Sequence, residues 1–220
     1  MHGVFDIIGP VMIGPSSSHT AGAVRLGLIA RKILGEEVVS AKINLHGSFA
    51  RTYKGHGTDR ALLAGIMGFS AADERIKEAL RLAEERGLTY AFCPVNLGEA
   101  HPNTAVLHLT GISGRTTRVI GASVGGGNVL IRNIDGYDVE LTGQYPALIT
   151  IHRDCPGIIT KVTSILARYE VNIAFMRVSR RSRGAEALMI LETDELLTED
   201  VIEECKQVCD VQDAFSIPAV

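Results

Sequence analysis

Hydrophobic positions along this chain change their period repeatedly, and each change marks a new kind of element. Ala23, Leu26, Gly27, Ala30 and Leu34 recur at helical spacing, and Gly35 stops the run. Val38 to Leu45 alternates as a strand does and runs into His46-Gly47-Ser48-Phe49. Leu62, Leu63, Ile66 and Met67 mark a second helix. Ile76, Ala79, Leu80 and Ala83 form the apolar stripe of an amphipathic helix over 74–86. Leu88 to Val95 reads as a strand. Beyond His101-Pro102-Asn103 the period falls to two: 105–110, 115–122, 128–133 and 137–141 are short alternating strands separated by Gly-rich turns. Residues 1–13 are a short apolar stretch broken at Gly9-Pro10.

Thr142-Gly143-Gln144-Tyr145-Pro146 reads as a boundary, predicting domains over 1–145 and 146–220. The second is self-contained. Strands are expected over 147–152, 171–179, 185–192 and 211–217, with helices over 158–169 and 199–209. That order, βαββαβ, is the ferredoxin-like unit. The fold class is therefore α+β. A sheet covered on one face calls for a partner on the other, so self-association is expected.

Polar residues concentrate in two places. Gly14 to Gly22 reads GPSSSHTAG and opens the first helix, with Ser18 or Thr20 as the expected N-cap. A helix start has unpaired N–H groups and attracts anions. Ser16, Ser17, Ser18 and Thr20, with His19, would surround a small polar substrate there. The second concentration repeats the layout: Gly55-His56-Gly57, then Thr58 or Asp59 capping a helix. His19 and His56 are expected to converge on one site.

Composition narrows the function. A formal net charge of −3 and the lack of Trp argue against nucleic acid and anionic membranes, and no apolar run reaches membrane-spanning length. The first residues lack a basic region and a long apolar run, so no signal peptide is expected. Four scattered cysteines, Cys93, Cys155, Cys205 and Cys209, then suggest free thiols in a cytoplasm. Cys205 and Cys209 are read as small hydrophobes on one helix face rather than half a metal site. The cysteine run of an iron–sulfur ligand set is absent, and His19, His46 and His56 lack zinc-type spacing. Gly125-Gly126-Gly127 sits between strands and reads as a hairpin turn, not a phosphate loop. Ser17 or Ser18 with His19 makes a poor hydrolase, since neighbours in sequence rarely hold nucleophile–base geometry.

The unit over 147–220 resembles an ACT domain, through the turn Asp154-Cys155-Pro156-Gly157 and the step Val171-Asn172-Ile173. It is similar to the serine-sensing domain of phosphoglycerate dehydrogenase, whose turn reads His-x-Asn-x-Pro-Gly. That resemblance implies a small amino-acid ligand at His152, Asp154 and Asn172, with Asp154 where an Asn is expected. GPSSSHTAGAVRLG (Gly14–Gly27), LHGSFARTYKGHGTDRALLAGIMGF (Leu45–Phe69) and GASVGGGNVLIRNIDG (Gly121–Gly136) resemble the β chain of iron–sulfur-dependent L-serine dehydratase. In that family the N-terminal fold is similar to the allosteric-substrate-binding domain of some phosphoglycerate dehydrogenases.

The resemblance implies conversion of L-serine to pyruvate and ammonia, with a separate α chain carrying a [4Fe-4S] cluster. Iron would act as Lewis acid on the substrate hydroxyl. This chain, inactive alone, would supply half of a composite site. Ser16, Ser17, Ser18 and Thr20 would hold the substrate carboxylate. His19 and His56 would act in catalysis, and Asp59 would orient His56. The competing expectation is a non-catalytic amino-acid-binding module of another enzyme.

Overall fold

The structure, a computed structural model, describes Gly14 and residues 16–220. The apolar run over 1–13 and Pro15 lie outside the described residues. The chain divides into two compact units, the first ending at Gly136 and the second covering Tyr137–Val220.

In the first unit a π-helical turn, Ser17–Ala21, runs directly into helix α1, Gly22–Leu34. The cap is Ser16, not Ser18 or Thr20. Ser16 is extended, and its Oγ accepts the His19 N–H. The helical path thus starts one turn earlier than the hydrophobic period indicates. Gly35, at φ +82°, closes α1 by donating to the Arg31 carbonyl. Strand β1, Val38–His46, follows.

Two helices then sit end to end, α2 over Gly47–His56 and α3 over Thr58–Ile66. Helix α2 runs through Gly55 and His56, which the sequence pattern leaves outside any helix. Phe49 is its one buried residue, so its sequence lacks the apolar stripe that reveals a helix. Gly57, left-handed at φ +71°, is the joint between them. The segment expected as a single helix over 74–86 is a 3₁₀ turn, Glu74–Glu78, followed by α4, Ala79–Glu85. The chain then returns as β2, Thr89–Val95, parallel to β1. Strands β3 (Thr104–Gly111), β4 (Thr116–Gly125) and β5 (Asn128–Ile134) continue as an antiparallel meander, giving the order β2-β1-β3-β4-β5.

Helices α1 and α3 meet backbone to backbone. A Cβ on Gly27 would lie 2.4 Å from the Leu62 carbonyl oxygen, and one on Gly65 would lie 2.0 Å from that of Val24. The start of α1 is pressed equally closely onto β4, where a Cβ on Gly22 would lie 2.0 Å from Ser123 Oγ. These approaches fix where both polar concentrations fall.

The second unit contains β6 (Tyr137–Leu141), β7 (Ala147–Arg153), α5 (Ile158–Arg168), β8 (Ile173–Arg180), β9 (Glu186–Thr193), α6 (Glu199–Lys206) and β10 (Val211–Ile217). Its sheet order is β10-β7-β9-β8, with neighbours antiparallel, which is the ferredoxin-like arrangement. Val162, Ile165 and Leu166 of α5, with Val201, Ile202 and Cys205 of α6, pack on Leu148, Met189, Leu191 and Ala214 of the sheet. Strand β6 is tied to β8 by Arg177, which donates to Glu140 at 2.7 Å, and by Ser179, which donates to the Asp138 carbonyl. Cys205 and Cys209 do not share a helix face. Helix α6 stops at Lys206, leaving Cys205 buried and Cys209 exposed beyond it.

Two glycines should respond to alanine with opposite signs. Within a helix Ala gains about 0.5–1 kcal/mol over Gly. At Gly55 an added Cβ meets nothing within 4 Å, so Gly55→Ala should stabilise by that amount. At Gly65 the Cβ strikes backbone, and overpacking of about 1–3 kcal/mol outweighs the propensity gain. Urea midpoints by circular dichroism should rise for Gly55→Ala and fall for Gly65→Ala. Equal midpoints would refute the close approach.

Candidate functional site

The two histidines meet. His19 lies in the π-turn ahead of α1, and His56 is the last residue of α2. Their ring centroids are 4.8 Å apart and edge-on. Phe49 also packs against His19, edge-on, with ring centroids 5.2 Å apart. The two segments do not share a layout, because His56 ends a helix whereas His19 begins one.

His19 is almost wholly buried, with hydroxyls at both ring nitrogens. Ser16 Oγ is 3.4 Å from Nδ1, and Ser48 Oγ is 3.3 Å from Nε2. Burial, and secondarily the nearby His56, hold its pKa below the usual 6.5. His19 is therefore a neutral imidazole at pH 7, fixed in orientation. His56 is exposed. Ser48 was not anticipated as a site residue. Its signal is its place directly after Gly47, at the corner where β1 becomes α2. The Pro102 carbonyl accepts the Ser48 N–H at 2.7 Å, which holds that corner in place.

A cleft of about 190 Å³ opens beside the pair, lined by Gly14, Thr20, Gly55, His56, Gly57, Arg60, Ile76 and Lys77. Thr20 is 2% exposed, and its Oγ1 has no hydrogen-bond partner; Thr58 is fully buried and its hydroxyl is equally unpaired. Ser17 and Ser18 are half-buried in the π-turn. Asp59 is buried, which raises its pKa, and its Oδ1 accepts the Arg60 N–H at 2.8 Å. Among the described residues it makes no hydrogen bond to His56, so it belongs to the start of α3 instead of orienting that ring.

In the second unit the three expected ligand residues do not come together within one chain. His152 pairs with Ala187 at one end of β9, whereas Ile173, next to Asn172, pairs with Thr193 at the other end. Six strand positions separate them, about 20 Å. His152 is buried, with Nδ1 2.9 Å from the Arg153 carbonyl and no partner on Nε2. Asp154 Oδ2 accepts from Gly184 N–H at 3.0 Å and from Arg180 at 2.8 Å, which together hold its pKa below the ordinary range. Its Oδ2 closes the 180–184 turn. Asn172 Nδ2 donates to Asp194 at 2.7 Å.

Among the described residues no group of three His, Cys, Asp or Glu side chains is placed to hold a metal ion. His46 is buried, and its Nδ1 accepts the Leu97 N–H at 3.1 Å. No described helix is long and apolar enough to cross a membrane.

A serine dehydratase beta chain family profile matches residues 3–92, and an ACT domain profile matches residues 147–210. Fold and motifs together thus define a two-unit protein of metabolic-enzyme type with an ACT domain. The chain is 42% identical over 205 residues to the probable L-serine dehydratase beta chain of Bacillus subtilis, spanning 93% of each chain. It is 40% identical over 201 residues to the L-serine dehydratase beta chain of Peptoniphilus asaccharolyticus, covering 91% of this chain and 90% of that one. The chain belongs to the L-serine dehydratase β-chain family. It is also 27% identical over 197 residues to D-3-phosphoglycerate dehydrogenase of Synechocystis sp., covering 89% of this chain but 35% of the relative.

The burial of His19 makes a titration prediction. In the unfolded chain His19 protonates near 6.5, but in the folded chain it does so only at lower pH. Folding stability should therefore fall as pH drops below 6.5. In histidine-resolved NMR, His19 should titrate below 6.5, and His56→Gln should move it part of the way back, because burial remains. A His19 pKa of 6.5 or above in the native protein would contradict this environment.

Proposed function

We propose that this chain is the non-cluster half of a two-chain, cytoplasmic L-serine ammonia-lyase, which forms pyruvate and ammonia together with an α chain. The reading is carried by one observation: His19 and His56, from two separate helices, stand edge-on at 4.8 Å beside a cleft that an unpaired buried Thr20 hydroxyl lines. The β-chain family membership supplies the substrate and the expectation of a partner.

A [4Fe-4S] cluster needs a set of thiolates. The four cysteines here do not fit it. Burial pushes the Cys205 thiol up to about 11, burial and Asp210 raise that of Cys155, and Cys93 and Cys209 lie on other elements. In this reading the cluster belongs to the α chain.

The work left to this chain is binding and proton handling. His56, exposed on the cleft, is the imidazole that meets the substrate. His19 stands behind it, held neutral and fixed by Ser16 and Ser48. Removal of the serine α-proton and loss of the β-hydroxyl give aminoacrylate, which tautomerises and hydrolyses to pyruvate and ammonia without further help. Thr20 binds substrate through its free hydroxyl, with Ser17 and Ser18 on the same turn. Ser16 is occupied with His19. Asp59 supports α3.

With the reconstituted two-chain enzyme, His56→Ala should lower kcat for L-serine by about 100-fold or more, and His19→Ala by a similar or smaller factor. Wild-type turnover by both variants would remove the site from the chemistry.

The ACT unit is proposed to bind a small amino acid between two copies of the chain. One copy would supply His152 and Asp154, the other Asn172. Equilibrium dialysis of the full chain with L-serine should show binding that Asn172→Ala abolishes. Undiminished binding by that variant would put the ligand elsewhere.

A second reading, a regulatory module of another enzyme, is favoured by the phosphoglycerate dehydrogenase match across both units. Copurification separates the two. A brown complex with a second chain supports the lyase, and a colourless complex with a dehydrogenase supports the module.

A further inference from the structure

The cationic groups on α3, the 3₁₀ turn and α4 fall into two sets. Arg75 is paired with Asp73 at 2.6 Å, and its guanidinium lies over Phe69 at 4.1 Å from the ring centre. Arg81 is held between Glu78 and Glu85. Arg60 and Lys77 differ: among the described residues, the guanidinium and the ammonium have no ion pair or hydrogen bond. Both line the cleft that Thr20 and His56 also line, one from α3 and one from the 3₁₀ turn. Between them the walls are bare, since a Cβ added at Gly55 or Gly57 would meet nothing within 4 Å. The cleft thus combines two cations held in no salt bridge among the described residues, open glycine walls and an unpaired hydroxyl that is 2% exposed.

We infer that Arg60 and Lys77 are the carboxylate-recognising pair of this cleft, binding the α-carboxylate of the amino-acid substrate. The inference rests on the serine dehydratase reading above. A zwitterion brought between two cations is oriented: its carboxylate is drawn to Arg60 and Lys77, and its ammonium is driven away from them. The Thr20 hydroxyl can donate to a carboxylate oxygen from the buried side. His56 is then left to the rest of the molecule. Asp59, the acid next to Arg60, interacts electrostatically with it but is buried and is not among the residues lining the cleft; its Oδ1 accepts the Arg60 N–H at 2.8 Å. Nothing in the motif pattern marks Arg60 or Lys77. They become a pair only when α3 and the 3₁₀ turn fold together.

The test uses the reconstituted two-chain enzyme with L-serine as substrate. L-alanine and L-alaninamide serve as non-reacting competitors, the second lacking the carboxylate. Arg60→Ala and Lys77→Ala should each raise KM for L-serine about tenfold, with a much smaller effect on kcat. The inhibition constant for L-alanine should rise with KM, whereas that for L-alaninamide should not, so the preference for the carboxylate collapses in the double variant. Arg60→Lys, which keeps the charge, should recover part of it. An unchanged alanine-to-alaninamide preference in a double variant that still turns over serine would overturn the inference and leave the lyase reading standing. So would an equal rise for both competitors, which marks a structural role. If the wild-type complex fails to act on serine, the lyase reading fails by itself. Calorimetric titration of the chain with L-alanine then judges the cleft: binding lost in the double variant supports the pair, and no binding or no difference overturns it.

Discussion

The contact on which the site depends contains no side chain. Gly27 of α1 faces the Leu62 carbonyl, and Gly65 of α3 faces that of Val24, at distances no Cβ can occupy. Helices with ordinary side chains at their crossing stand about 8–10 Å apart. Here two bare positions let the backbones touch. His19 lies one turn before α1, and His56 lies two residues before α3. The separation of the imidazoles is therefore set largely by the separation of the helices. Gly22 against Ser123 pins the start of α1 to the sheet and prevents it from sliding along that contact. Without these glycines the same polar residues would be present but apart.

Given that placement, the two histidines cannot be equivalent. His19 is enclosed by Phe49, His56 and two serine hydroxyls, and burial favours its neutral form. An imidazole held at both nitrogens can pass or keep a proton but has no free edge for a ligand. His56 has the exposure that His19 lacks. The unpaired Thr20 hydroxyl leads to the same conclusion. A buried hydroxyl without a partner costs about 1–3 kcal/mol, and one on the cleft wall suits a surface whose hydrogen bonding is completed by something that binds.

Much of this was legible in the sequence, but unevenly. The ferredoxin-like unit was, because its strands alternate cleanly and Val162, Ile165 and Leu166 face one way. Strands 137–141 and 211–217 were placed to the residue. Helix α2 was hidden because only Phe49 is buried in it, and the glycines near its ends imitate a loop. The cap at Ser16 was misplaced because the turn it closes is π-helical and carries no apolar period. The convergence of His19 and His56 was anticipated from paired glycine–histidine motifs, although the second motif is a helix end and not a start. Arg60 and Lys77 left no signal, since their roles come from tertiary neighbours, and Ser48 left only its place after Gly47. Asp59 carried a false one: beside His56 in sequence, it is taken by the backbone of its own helix.

Both regions of interest are incomplete in the same sense and for different reasons. The cleft has charge, hydroxyls and an exposed imidazole, but this chain lacks the thiolate set that cluster chemistry demands. The ACT unit has His152 and Asp154 at one end of its sheet and Asn172 about 20 Å away at the other, with Asp154 Oδ2 already engaged by Arg180 and Gly184. A ligand that needs all three must meet two copies. On the proposed reading, a different chain completes the first site and a like chain completes the second. The two associations are then separate equilibria. An amino acid that binds across two ACT units favours the like pairing by mass action. It alters lyase activity only if that pairing changes the affinity for the α chain or the geometry at His56. Regulation in such a protein is a question of coupling between two interfaces, and the amino acid acts on one of them.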